Sequence, residues 1–127
     1  MKILAPPDHH PPATSDPRAV ALANDADALA LPLDGVERVD LHFPDFTDGR
    51  AFSQAFLLRR RRGFQGEIRA TGQVLIDQLL QMRRTGFSCA VLSAGVDAAD
   101  AQRQLDRFPG FYQGDAVQPR PHFAQAT

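Results

Sequence analysis

The sequence contains a single cysteine, Cys89. One cysteine excludes an intramolecular disulfide, and it cannot supply the four ligands of an iron–sulfur cluster. Sparse cysteine is typical of proteins of a reducing cytoplasm, and we expect a cytoplasmic location. Because Cys89 stands in an apolar, strand-like stretch, we expect it to be a small buried hydrophobic residue rather than a nucleophile.

Long apolar runs and a charge excess are also lacking. No apolar stretch approaches the roughly 20 residues that cross a bilayer, and the N-terminal one is too short for a secretory signal. The formal net charge of −1 argues against a protein that coats nucleic acid. The dinucleotide, Walker, nucleophile-elbow, zinc-protease and thiol-redox motifs are all missing. We therefore predict no cofactor, no metal, no nucleic-acid partner and no membrane partner.

What the chain does contain fits one soluble globular domain. Its 127 residues are 43% hydrophobic and 23% charged, which are ordinary proportions for a single core. Five prolines and the pair His9-His10 stand between Ala5 and Pro17, where little can pack. The predicted organisation is a disordered or extended lead-in over residues 1–17, an α/β domain over residues 18–112 and a surface tail over residues 113–127.

A glycine-phenylalanine pair follows two helix-like segments of the domain. Gly63-Phe64 ends one and Gly86-Phe87 ends the next, and each glycine can adopt the left-handed conformation that terminates a helix. Helices are predicted over Asp48–Arg62, Gln73–Thr85 and Asp97–Arg107, and strands over Val39–Phe43, Glu67–Thr71 and Cys89–Ser93. A weaker first copy would have a strand over Ala19–Ala23 and a short helix over Asp25–Leu31, which Pro32 ends.

Strands that alternate with helices through short turns predict an α/β fold with a small parallel sheet. Three or four consecutive βα units could form an open sheet or part of a (β/α) barrel, and the sequence does not separate these two. The apolar residues of Gln73–Thr85 extend beyond the stripe that one core requires. We therefore predict a homodimer that buries this helix.

Polar residues follow two of the strands, where parallel α/β proteins usually hold ligands. An arginine at a helix start, such as Arg50, opposes the helix dipole unless an anion or a carboxylate compensates it. Two explanations stay open: an internal pair with Asp48, Glu67 or Asp77, and a bound small oxyanion such as sulfate or phosphate. The candidate ligand-binding residues are Asp48, Arg50, Ser53, Gln54, Arg69, Thr71, Asp77 and Gln78.

Other polar groups have simpler interpretations. Asp48 and Thr71 are placed to cap the two helices. The run Arg59–Arg62 falls in the last turn of a helix, where cations offset the macrodipole, at the sheet edge opposite the strand C-termini. Asp40, His42, Asp45 and Asp48 form only a loose set of metal-ligand types, and hydrogen bonding explains such residues better than a metal does.

The centre of the chain resembles an uncharacterised bacterial family of small proteins described as oxidoreductases of sulfite reduction. The family's genes tend to lie beside those of assimilatory sulfite reductase. The resemblance is carried by Phe43-Pro44-Asp45-Phe46-Thr47-Asp48-Gly49-Arg50, Phe52-Ser53-Gln54-Ala55, Leu57-Leu58-Arg59, Gly63-Phe64, Gly66-Glu67, Arg69-Ala70, Gly72, Val74-Leu75, Asp77-Gln78-Leu79 and Gly86-Phe87.

This resemblance implies a role in sulfur assimilation, with sulfite reductase components as partners. The leading expectation is a non-catalytic accessory protein whose strand-end edge binds an anionic ligand or an acidic group of a partner. One alternative is a small oxidoreductase that acts on an anionic substrate through Arg50, Arg69 and Asp77. Another is a structural interaction module that uses the broad apolar helix.

Overall fold

Five parallel strands form one open sheet in a computed structural model that describes residues 1–13, 16–45 and 47–107. The strand order across the sheet is β1-β5-β4-β3-β2. The strands are β1 (Lys2–Leu4), β2 (Ala19–Leu22), β3 (Arg38–Phe43), β4 (Glu67–Gly72) and β5 (Cys89–Val91), and the α-helices are α1 (Arg50–Phe56), α2 (Leu79–Thr85) and α3 (Ala98–Asp106). The predicted tail, residues 113–127, lies outside the described residues.

The predicted α/β class is confirmed, and the sheet is open. Strands β3, β4 and β5 are each followed by a helix, which gives three consecutive βα units. Both predicted helix-ending glycines have positive φ, +65° at Gly63 and +118° at Gly86. The phenylalanine after each glycine is buried in the core, so the repeated pair ends each helix and returns the chain to the core.

Two helices have irregular ends. Helix α1 continues into a π-helical turn over Leu57–Arg61, and a 3-10 turn over Ile76–Gln78 precedes α2. Helix α3 begins regularly, because the Asp97 carboxylate accepts the backbone N–H of Ala99 at 2.9 Å.

The predicted helix over Asp25–Leu31 is wrong. This segment forms two turns, and β2 reaches β3 without a helix. The Asp27 carboxylate accepts the backbone N–H of Leu29 at 2.9 Å, and this local hydrogen bond favours a turn over a helix.

Strand β1 lies in the segment that was predicted to lead into the domain. It pairs with β5 in the register Lys2–Cys89 and Leu4–Val91, and so forms an edge of the sheet. Three residues are too few to show an alternating pattern. Residues 2–4 are a strand because they pair with β5, which is distant in the sequence and becomes adjacent only on folding.

The helices pack on one face of the sheet. Each crossover from β3 to β5 moves to the next strand in the same direction, and right-handed crossovers then place successive helices on the same side. That face is apolar: Val39, Leu41 and Phe43 of β3 are fully buried, and the Phe43 ring lies 5.0 Å from that of Phe52 in α1. Within the described chain, the opposite face carries no α-helix, and we call it the helix-free face; residues 5–13, which include a 3-10 turn over Pro6–Asp8, cross it.

A shallow groove of about 260 Å³ separates α2 from α3 on the outer surface. Ile76 and Leu80 line this groove beside Leu105, and both are partly exposed. The extra apolar residues of the second helical segment therefore remain accessible, as the predicted dimer requires.

We expect the protein to be a dimer by light scattering, because partly exposed apolar side chains of α2 gain from burial against a second copy. Leu80→Asp should give a monomer of unchanged secondary structure, since a carboxylate would be desolvated in the interface. Leu29→Asp, at an exposed apolar residue away from α2, should leave the dimer intact. A wild-type monomer mass at micromolar concentration would contradict the prediction.

Candidate functional site

A pocket of about 290 Å³ opens at the carboxyl edge of the sheet, between the loop after β2 and the start of α1. This is where parallel α/β folds usually hold ligands. Three of the predicted candidates, Arg50, Ser53 and Gln54, line this pocket together. The remaining lining residues are Asn24, Asp25, Ala26, Asp27, Ala28 and Leu57.

Arg50 is paired with Asp48 beside this pocket. Its Nη2 lies 2.8 Å from Asp48 Oδ2, and its backbone N–H donates to Asp48 Oδ1 at 3.0 Å. The hydrogen bonds from the Arg50 side chain and backbone hold the pKa of Asp48 at about 2. The internal pair with Asp48, one of the two explanations for Arg50, is therefore present.

Carboxylates outnumber cations around this pocket. Asp25 and Asp27 line it, Asp48 adjoins it, and Arg50 is the single cation among its lining residues. The pKa of Arg50 is raised, chiefly by its hydrogen bond to Asp48 and further by the charge of Asp25. The charge balance therefore favours a cationic or hydrogen-bond-donating group over an anion.

Gln54 fixes the loop after β2 and leaves one acceptor without a donor. Its Nε2 donates to the backbone oxygens of Ala23 at 2.8 Å, Ala26 at 3.0 Å and Asn24 at 3.3 Å. These three acceptors determine the orientation of the amide. Among the described residues Oε1 has no hydrogen-bond partner, although the side chain is only 5% exposed. A buried acceptor of this kind marks a place where a donor is missing.

A second polar cluster lies on the helix-free face of the sheet. Along β3, Arg38 Nε donates to Asp40 Oδ1 at 2.8 Å, and along β4, Arg69 Nε donates to Glu67 Oε2 at 2.6 Å. The strand register places Arg38 beside Glu67 and Asp40 beside Arg69. Each charge therefore has opposite charges as neighbours along its strand and across to the next. We call these four residues the ionic square.

Two members of the ionic square are buried, and the other two, Arg38 and Glu67, are partly exposed. Asp40 is 4% exposed and Arg69 is 7% exposed. Burial raises the pKa of Asp40, while Arg38 opposes the rise. Equal numbers of carboxylates and guanidinium groups compensate one another, so the arrangement can persist with little solvent.

The structure does not bring all the predicted candidates together. Arg69 lies within β4 in the ionic square, whereas Arg50 lies at the carboxyl-edge pocket. Asp77 lines the groove between α2 and α3, and Gln78 Oε1 accepts the N–H of Leu75 at 3.4 Å beside it.

Thr71 does not cap a helix, contrary to the prediction. It belongs to β4, and its Oγ1 lies 3.3 Å from Nδ1 of His42. The cap prediction fails because the next helical turn begins only at Ile76, so no helix starts beside Thr71. Asp48 is not the N-cap of α1 either: that position is Gly49, which makes no side-chain cap bond, and Asp48 accepts the Arg50 N–H from one residue earlier.

The four residues of the loose metal-ligand set each make hydrogen bonds to different partners; they are Asp40, His42, Asp45 and Asp48. Asp45 accepts Thr47 N–H at 2.9 Å, and His42, Asp40 and Asp48 have the partners given above. Across residues 1–13, 16–45 and 47–107, no three His, Cys, Asp or Glu are grouped as a metal site requires. Cys89 is a buried free thiol, as predicted, and burial raises its pKa.

Sequence reasoning missed Arg38 and His9 as members of a site. The signal was the period-two alternation of polar residues in Arg38-Val39-Asp40-Leu41-His42 and again in Glu67-Ile68-Arg69-Ala70-Thr71. In a parallel sheet this pattern indicates one solvated or ionic face, which is unusual because both faces are normally apolar.

Comparison with known proteins identifies a family for this chain. Residues 19–123 match the sequence model of a family described as a bacterial protein of unknown function, DUF934. No curated protein and no solved structure matches the chain. In the described part of the chain, no helix is both long and apolar enough to span a membrane.

Proposed function

The chain belongs to the DUF934 family, and from this membership and the carboxyl-edge pocket we propose an accessory binding protein of assimilatory sulfite reduction. It binds a component of the sulfite-reducing system without itself performing the reaction. The link to sulfite reduction comes from the family resemblance in the sequence. The binding role comes from the pocket, whose polar groups are arranged to receive a partner.

The pocket is proposed to receive a basic side chain of the partner protein. Arg50 is already paired with the Asp48 carboxylate, and two further carboxylates, Asp25 and Asp27, line the same pocket. This excess of carboxylates is the main support for the proposal. A lysine or arginine that enters the pocket meets carboxylates in excess. Gln54 contributes indirectly, because its Nε2 holds the loop that carries Asp25 and Asp27 through bonds to three backbone oxygens.

An oxyanion held mainly by Arg50 is the competing proposal. Such an anion would compete with Asp48 for Nη2 and Nε, which both donate to that carboxylate. It would also approach Asp25, so its gain from the helix N-terminus is offset by like-charge repulsion.

The test is co-purification from cells that grow on sulfate as sole sulfur source, with tagged wild type and matched charge reversals. Asp25→Lys should lower recovery of the sulfite reductase component by at least about tenfold, because like charges across a contact cost over 1.4 kcal/mol. Asp34→Lys reverses an exposed carboxylate elsewhere and should recover the partner as wild type does. Equal recovery with Asp25→Lys and wild type would refute the proposed site.

Calorimetric titration with sulfate, sulfite and phosphate at low salt tests the competing proposal. Heat that is lost in Arg50→Ala but kept in Arg60→Ala would favour the oxyanion and count against the basic partner group. A chromophore in the absorbance spectrum of the purified protein would instead favour the oxidoreductase alternative.

A further inference from the structure

Residues 5–13 cross the helix-free face between the two edge strands of the sheet. They follow β1 at one edge and precede β2 at the other. Four of the nine residues are proline, which stiffens the segment and removes N–H groups that would otherwise need partners. We call this segment the strap.

Two adjacent strap residues attach it to the ionic square. His9 Nδ1 lies 2.9 Å from Arg69 Nη1, and the His10 backbone oxygen accepts Arg38 Nη2 at 2.9 Å. The second ring nitrogen of His9, Nε2, lies 3.8 Å from Asp40 Oδ2. The His9 side chain is 14% exposed, so it is enclosed between the strap and the sheet.

The contact between His9 and Arg69 requires a neutral imidazole. A guanidinium can only donate, so Nδ1 must accept and the ring proton resides on Nε2. If Nδ1 were protonated, two N–H donors would face each other, and the imidazolium of His9 would repel the guanidinium of Arg69. The docked strap is therefore compatible with the uncharged form of His9.

The groups that face His9 come from every element beneath it. Arg38 and Asp40 face it from β3 and Arg69 faces it from β4, while Glu67 of β4 and Cys89 of β5 lie beside Arg69. His10 is the adjacent titratable group in the strap. Burial lowers the pKa of His9 from its ordinary value of 6.5, Asp40 opposes this, and Arg69 and Arg38 add to it.

We propose that residues 5–13 are a releasable strap, which protonation of His9 detaches from the sheet to uncover the ionic square. Release frees Arg38 Nη2 and Arg69 Nη1 from their strap acceptors and exposes them on the helix-free face. The pKa of His9 is lower when the strap is docked than when it is released. Docking is therefore fully favoured above the ordinary histidine value of 6.5 and is lost as the pH falls through the lower pKa of the docked state. The inference does not depend on the proposed function.

Backbone NMR relaxation of the strap amides across pH 7.5 to 5.0 tests the proposal. At pH 7.5 the order parameters of the His9, His10 and Ala13 amides should be about 0.85, typical of rigid backbone. They should fall below about 0.6 at low pH. The change should follow the imidazole titration of His9, while amides of β3 and β4 stay rigid.

Three histidine variants separate this mechanism from others. His9→Gln supplies a non-titrating acceptor for Arg69, so its strap should stay ordered at pH 5.0, whereas His9→Lys should be released at every pH. His10→Gln should behave as wild type, because His10 contributes its backbone oxygen. The proposal is overturned if the wild-type strap stays rigid with His9 protonated. It is equally overturned if His9→Gln loses order as the wild type does, since Asp40 titration would then be responsible.

Discussion

Replacement of Arg59 by methionine is expected to lower the free energy of unfolding by about 3 kcal/mol. The reason is that the Arg59 guanidinium, near the end of the first helical segment, donates hydrogen bonds to three backbone carbonyl oxygens. Nε donates to Gly86 O at 2.9 Å, and Nη1 donates to Phe64 O at 2.8 Å and to Gly66 O at 2.6 Å. Methionine fills part of the volume but leaves these carbonyl oxygens without their donors.

Arg59 thus connects the ends of two βα units. Gly66 leads into β4, and Gly86 terminates α2 with φ +118°. Urea denaturation measures the loss, with Arg61→Met as the matched control in the same arginine run. Arg61 is exposed, so its variant should stay within about 0.5 kcal/mol of wild type. Equal midpoints for the two variants would refute the role assigned to Arg59.

Gly72→Ala is expected to destabilise the fold by about 3–5 kcal/mol, through strain and steric overlap together. Gly72 ends β4 with φ +89°, a conformation that side chains disfavour. A Cβ there would overlap the Phe43 carbonyl oxygen and the His42 ring on the neighbouring strand. The same Phe43 oxygen accepts the N–H of Gln73 at 2.8 Å, so any shift also weakens that bond.

Gly63→Ala is the matched control for this glycine. Its φ of +65° carries comparable backbone strain, but no described atom lies within 4 Å of the added Cβ. We expect a loss of about 1–2 kcal/mol, which is the conformational cost alone. The difference in urea midpoint between the two variants measures the steric overlap, and identical midpoints would show that none exists.

The position of the arginine run Arg59–Arg62 was predictable from the sequence, but the partners of its members were not. Its position at a helix end was correctly predicted, and helix-dipole compensation accounts for cations there. The sequence did not separate the members, although their environments differ: Arg59 binds three carbonyls, Arg62 Nη1 donates to Ala28 O at 3.0 Å, and Arg60 lies over the Phe56 ring. Phe56 stands one helical turn before Arg60, but the Gly86 and Ala28 carbonyls come from distant segments and approach only in the folded chain.

The contact between the strap and the ionic square was likewise not predictable from the sequence. Prolines and two histidines predicted a lead-in, because no apolar pattern marks residues 5–13 for burial. His9 is nevertheless held by Arg69. A contact made by polar groups at long sequence separation leaves no periodic signal.

Local patterns in the sequence were enough to predict the βα repeat, the glycines that end its helices, the buried Cys89 and the extra apolar surface of α2. These follow from local rules: period, chirality at glycine, and the need to bury apolar faces. The two ion pairs of the predicted site are themselves local, since each joins residues two apart in the chain. Packing places the Arg50–Asp48 pair beside a pocket and the Arg69–Glu67 pair beneath a strap, and so separates residues that were predicted to share one site. Strand register and loop path set those locations, and neither is encoded in the spacing of residues along the chain.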